Sequence, residues 1–155
     1  MAQHVGERML VHTVSFRLLQ RLQPAFRDDS RVLWYTGADT RQSVLDQYRA
    51  RPDAVLVAPA LERGLDLPDD LCRAVVVMKV PYPYLGDRQI AARLRLPDGS
   101  AWYRDQTLRS LVQMTGRGMR HQDDYCACYI LDSQFDTILS RYGSLLPGWW
   151  KEAIR

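Results

Sequence analysis

A chain of 155 residues suits one domain with its own hydrophobic core. Hydrophobic residues make up 46% and charged residues 25%, and no apolar run reaches the length of a membrane span or follows a signal-peptide pattern. A net charge of +3 is too small to establish a nucleic-acid partner, but its distribution is uneven. Between Tyr82 and Arg120 the chain holds Arg88, Arg93, Arg95, Arg104, Arg109, Arg117 and Arg120, opposed only by Asp87, Asp98 and Asp105. That local excess predicts a basic surface.

In chain order, Met9 to Ser15 reads as a first buried strand and Phe16 to Phe26 as a helix with Leu18, Leu19, Leu22 and Phe26 turned inward. Arg31 to Thr36 is a second strand, ended by Gly37. Thr40 is placed to cap a helix running to Arg49, with Val44, Leu45 and Tyr48 inside. Asp53 to Ala58, Arg73 to Val80 and Tyr125 to Leu131 supply three more strands; the second of these is apolar almost throughout, as in strands buried on both faces. Strands alternating with helices predict an α/β fold, a three-layer sandwich on a mostly parallel central sheet of about five or more strands. One domain over residues 1–155 is expected, with a loop insertion at about 82–102 that has room for a short helix around Gln89 to Leu94, and a tail at about 145–155 that carries Trp149, Trp150 and Ile154. Cys72, Cys126 and Cys128 lack any zinc or iron–sulfur spacing, so they are expected to be reduced core or strand residues, and no metal site is expected. This fits a reducing, cytoplasmic setting.

The stretch Gln113-Met114-Thr115-Gly116-Arg117-Gly118-Met119-Arg120 closes an apolar-periodic segment. Leu108, Leu111, Val112, Thr115 and Met119 follow a core-facing helical stripe, which puts Arg109, Gln113, Arg117 and Arg120 on another face. Such a face is either a solvated basic surface or a set of guanidinium forks for phosphate oxygens. Gly116 and Gly118 favour a special backbone or close approach, since each costs about 1 kcal/mol inside a helix.

Ligands of open parallel sheets gather beyond the carboxyl ends of the strands. The first strand ends in Thr13 and Ser15, and the second in Thr36 and Gly37, small groups suited either to a phosphate backbone or to ordinary turns. Tyr82, among arginines and tyrosines, suits base stacking. In the loop after the third strand, Gly64 precedes Asp66, which lets backbone approach while a carboxylate accepts hydrogen bonds.

Taken in order, Arg63-Gly64-Leu65-Asp66 resembles motif V of superfamily 2 helicases, and Gln113 to Arg120 resembles motif VI, Gln-x-x-Gly-Arg-x-x-Arg. With the strand leading into Pro81-Tyr82-Pro83 and the ending Ile130-Leu131-Asp132, the chain from about Leu10 to Phe135 resembles the C-terminal helicase domain of the DinG/XPD family. The resemblance implies the second of two RecA-like domains, with ATP and Mg2+ between them. It implies that Gly64, Asp66, Gln113, Gly116, Arg117 and Arg120 approach the nucleotide, with Arg117 or Arg120 as an arginine finger. It further implies that Thr13, Ser15, Thr36, Gly37 and Tyr82 lie along a track for single-stranded DNA. Two departures stand out: Arg63 replaces the usual Glu before the motif V glycine, and Ala58-Pro59 replaces the Thr or Ser that often opens that motif. No Gly-x-x-x-x-Gly-Lys-Ser/Thr and no Asp-Glu-x-His occurs. The chain alone is therefore expected to bind no nucleotide tightly and to hydrolyse none. It needs an N-terminal helicase domain, in cis or as a partner chain. The alternative is a non-catalytic RecA-like module that binds nucleic acid or protein.

Overall fold

The computed structural model describes residues 4–59, 67–119, 121 and 123–154. Five short strands, β1 (Met9–His12), β2 (Val32–Trp34), β3 (Val55–Ala58), β4 (Ala74–Val77) and β5 (Ala127–Ile130), form one sheet in the order β2-β3-β1-β4-β5. Every pairing is parallel, and Met9 of β1 stands level with Val55 on one side and Ala74 on the other. The strands are shorter than their apolar runs. β1 stops at His12 because Val14 turns to φ 62, a left-handed conformation in which a β-branched residue cannot continue a strand.

Successive side chains point to opposite faces. Leu10, Leu33, Leu56, Val75 and Val77 face one core, completed by Leu45 and Tyr48 of α2 (Arg41–Ala50), Leu108, Leu111 and Met114 of α4 (Gly99–Thr115), Ile138 of α5 (Gln134–Tyr142) and Trp150 of α6 (Gly148–Glu152). Met9, Val11, Val32, Val55, Val57, Ala74 and Val76 face the other, where Leu19 of α1 (Phe16–Leu22) packs. Helices on both faces of a parallel sheet make the three-layer α/β sandwich that the sequence predicts. The second face is the thinner, and an apolar cavity of about 320 Å³ opens there between Phe26, Trp34, Met78 and Tyr129.

Three expectations need correction. The first helix is α-helical only to Leu22, because Pro24 tightens the next residues into a 3-10 turn over Gln23–Ala25. The stretch at 82–102 holds the short helix expected around Gln89 to Leu94 as α3 (Arg88–Leu94), but it also takes in the start of α4, which the loop reading did not include. Asp87 starts α3 by accepting hydrogen bonds from the amides of Gln89 (2.7 Å) and Ile90 (3.3 Å). At Gly99 a Cβ would meet the carbonyl carbon of Leu94 at 2.5 Å and the oxygen of Arg93 at 2.7 Å, so the glycine lets α4 start directly against the end of α3. Finally, α4 stops at Thr115, and Gly116–Gly118 form a 3-10 turn. Met119 therefore leaves the predicted stripe and is 47% exposed, while Met114 takes the buried position.

At the tail, Trp150 is buried and its indole N–H donates to Thr115 Oγ1 at 2.7 Å, which ties α6 to the end of α4. Trp149 beside it is exposed. No described helix is long and apolar enough to cross a membrane.

Candidate nucleotide and nucleic-acid sites

The described candidate residues fall at opposite edges of the sheet. The turn with Gly116, Arg117 and Gly118 lies at the amino edge, against the residues that lead into β4 and β5. A Cβ on Gly118 would overlap Cys126 Sγ and reach Cys126 Cβ at 2.6 Å and the Cys72 carbonyl oxygen at 2.7 Å. Only glycine lets this turn sit so deep. Beneath it the thiols of Cys72 and Cys126 share a hydrogen bond, which raises Cys72 and lowers Cys126 from the ordinary thiol value. All three cysteines are free thiols.

Gln113 is exposed on α4, and Arg109 shares that exposed side. Arg117 does not join them. The helix has ended, the tighter turn rotates it inward, and its Nε is buried. The expectation of one basic face is corrected here: Arg117 is half-buried and points its charge at the interior. Its neighbour there is His12, the last residue of β1, which is fully buried. Neither ring nitrogen of His12 has a hydrogen-bond partner among the described residues. Burial first, and the Arg117 charge second, push His12 down from 6.5 to about 4, so it is a neutral imidazole at physiological pH. Gly64, Asp66 and Arg120 lie outside the described residues.

Two arginines brace the same edge. Arg8 donates to the carbonyls of Tyr48 (3.2 Å), Arg49 (2.9 Å), Arg51 (2.8 Å) and Asp70 (3.0 Å), where α2 leaves its last carbonyls without helical partners. Arg73 binds Asp70 at 2.7 Å and the buried Asp124 at 2.8 Å, and its guanidinium stands 4.2 Å over the Tyr125 ring. Asp69, His121 and Asp124 bring possible ligand atoms within 4.8 Å of one another. These atoms are turned to internal partners: His121 Nε2 bonds Asp69 Oδ1 at 2.7 Å, and Asp124 receives Arg73 and the Tyr125 amide.

At the carboxyl edge, Thr13 is buried and donates its hydroxyl to the Ser15 carbonyl at 3.1 Å, so it stands behind the surface. Ser15 is exposed and caps α1, accepting from the Leu18 amide at 3.2 Å. Thr36 is exposed, and no atom would come within 4 Å of a Cβ on Gly37. Tyr82 is 38% exposed and stacks on Tyr103 of α4, ring planes 10° apart and centroids 6.1 Å apart. Sequence reasoning passed over His12, whose signal was an imidazole inside an apolar strand. It counted Tyr84 among the tyrosines of its loop without singling it out, although it stands between proline and glycine.

This arrangement can be set beside known proteins. The pattern of the helicase C-terminal domain matches residues 1–153. The chain belongs to that family. It is a C-terminal helicase domain of the DinG/XPD group. The Fanconi anemia group J protein homolog of Gallus gallus is 30% identical over 105 residues, which are 61% of this chain and 8% of that protein. The ATP-dependent DNA helicase CHL1 of Candida albicans is 30% identical over 137 residues, 73% of this chain and 16% of that protein. Among solved structures, S. tokodaii Xpd4 superposes with a TM-score of 0.66 at 16% identity, over 96% of this chain and 30% of the other. An apo XPD gives 0.69 at 17% identity, over 95% and 32%. The helicase domain described here thus spans under a third of each of these relatives.

Proposed function

We propose that this domain is the motor-coupling half of an ATP-dependent DNA helicase. It supplies the motif V and motif VI groups to an ATP site completed by a P-loop domain, and it carries single-stranded DNA on its opposite edge. The observation that carries this reading is the Arg117 turn. A motif of the form Gly-Arg-Gly is anchored at the amino edge by a glycine that cannot be replaced without collision, which fixes the backbone that carries Arg117. A solvated basic surface needs no such anchoring. Arg117, with Arg120, Gln113, Gly116, Gly64 and Asp66, forms the nucleotide set, and Ser15, Thr36, Gly37 and Tyr82, backed by Thr13, form the nucleic-acid set.

The residues at hand fit the role in part. Guanidinium groups stabilise charge on a transferring phosphoryl group. The P-loop hydroxyl and acidic residues that hold Mg2+ in such enzymes have no counterpart in the sequence, so Mg2+ falls to the partner domain. The isolated chain then hydrolyses no ATP, and it acts in the reducing, cytoplasmic setting its free thiols suit.

The test is made in the complete enzyme. Arg117→Ala and Arg120→Ala should each lower single-turnover hydrolysis by roughly 10³–10⁵ while the protein still folds. Lys replacements should rescue poorly, because a point charge does not reproduce the planar fork. Met114→Asp, at a fully buried site, serves as the unfolding control. Near-normal hydrolysis in both arginine variants would sink the assignment and leave a non-catalytic binding module.

A further inference from the structure

Tyr84 has a setting that the helicase motifs do not explain. Its ring is 79% exposed, the most exposed large hydrophobic side chain among the described residues. Its backbone is nevertheless held. The ring lies over Gly86, where a Cβ would meet its outer atoms. The loop beneath is braced at each step. The Val80 amide donates to Asp132 Oδ2 at 2.9 Å, the Tyr103 hydroxyl donates to the Pro83 carbonyl at 2.9 Å, and the Asp87 amide donates to the Tyr84 carbonyl at 3.1 Å. Pro81 and Pro83 restrict the backbone further. An aromatic ring mounted on so rigid a bracket loses little freedom when something covers it. Two cations flank the loop: Lys79 and Arg88 are both exposed, and among the described residues neither has an ion pair, while the carboxylates nearby are engaged, Asp87 in capping α3 and Asp132 with the Val80 amide. The loop follows β4, next to β1 and the exposed Ser15 at its end.

We infer that Tyr84 is a stacking platform for one unpaired base, with Lys79 and Arg88 receiving the flanking phosphates. This rests on the nucleic-acid reading above and assigns it a specific contact. A single projecting ring requires a base whose face is open, which a single strand presents and the interior of a duplex does not. Base–aromatic stacking is tolerant of sequence because every base has a flat face.

The experiment titrates the 155-residue chain and its Tyr84→Ala and Tyr84→Trp variants at low salt against two labelled strands of equal length, oligothymidylate and an abasic strand with the same phosphates. The expected result is a loss of roughly 5- to 100-fold in oligothymidylate affinity for Tyr84→Ala and near-full retention for Tyr84→Trp. On the abasic strand all three proteins should bind alike. Equal oligothymidylate binding by the unsubstituted chain and Tyr84→Ala overturns the stacking contact and leaves the wider reading standing. An equal loss on both strands also overturns it, since the ring would then act through something other than a base. Failure of the unsubstituted chain to bind either strand overturns the nucleic-acid reading itself. Melting of each variant confirms the fold, which an exposed ring should barely affect.

Discussion

At the amino edge of the sheet, polar side chains are engaged in fixed internal contacts. Arg8 holds four carbonyls, Arg73 joins Asp70 to Asp124, and the Tyr48 hydroxyl donates to the Leu71 carbonyl at 2.7 Å. At the carboxyl edge, groups that follow β1, β2 and β4 are turned outward: Ser15, Thr36, Lys79, Tyr82 and Tyr84 are exposed, and Gly37 borders open space. The difference teaches how one small sheet can combine a fixed edge with an open one. Under the proposed function, an arginine that must meet a phosphoryl group in one geometry gains from a rigid bed such as the amino edge, and a strand of nucleic acid that must slide gains from an accessible surface such as the carboxyl edge.

If the amino edge is the rigid one, its substitutions should cost the most stability. The largest effect is expected at Asp124, whose carboxylate is buried against Arg73. Asp124→Ala should lose about 3 kcal/mol in urea unfolding, because it removes a buried carboxylate that accepts from Arg73 and from the Tyr125 and Asp69 amides. Next, Gly118→Ala should cost about 2–3 kcal/mol, since the new methyl collides with Cys126 and the Cys72 backbone. Gly37→Ala, with open space around it, should stay within about 0.5 kcal/mol. Similar losses at Gly118 and Gly37 would break the comparison.

His12 sharpens it, because its imidazole lies in the core between the two edges. Its folded pKa of about 4 lies below the ordinary 6.5, so the unfolded chain takes up the proton first as pH falls. The stability it contributes is complete above about pH 6.5 and is lost as pH falls toward about 4. Between pH 7.5 and pH 5 the loss should be about 2 kcal/mol. His12→Phe should remove that part of the pH dependence while leaving stability at neutral pH equal or higher, since two buried nitrogens without partners disappear. An unchanged pH profile in the variant would show that the ring is not buried as a neutral group. A smaller loss is expected at the carboxyl edge: Ser15→Ala removes the α1 cap and should cost about 1 kcal/mol by thermal melting.

Much of this architecture was legible in the chain. Val55–Ala58 and Ala74–Val77 are apolar on every residue because parallel strands are buried on both faces, and that pattern cannot be mistaken for a half-exposed strand. The ends were less legible. Val14 belongs by composition to a strand, and nothing local signals its left-handed backbone. Met119 fits the helical period from Thr115, yet Gly116 between them stops the helix, so the glycine pair was the better guide than the periodicity. The bed under Arg117 was beyond reach for another reason. Arg73 and Asp124, like Gly118 and Cys72, are far apart in the chain, and which strands stand side by side decides that they meet.

The central position of β1 has a consequence for how the protein is made. This strand precedes both of its neighbours, β3 and β4, in the chain, and its pairing is complete only when Val77 stands level with His12. On the ribosome, at about 5–20 residues per second, Met9-Leu10-Val11 therefore waits roughly several seconds with at least one unpaired edge. Unpaired apolar edges are where growing chains stick to one another. For this sheet the central strand is made before either partner, and once β4 closes it, β4 in turn waits for β5, so an unpaired edge persists until Ala127–Ile130 emerges.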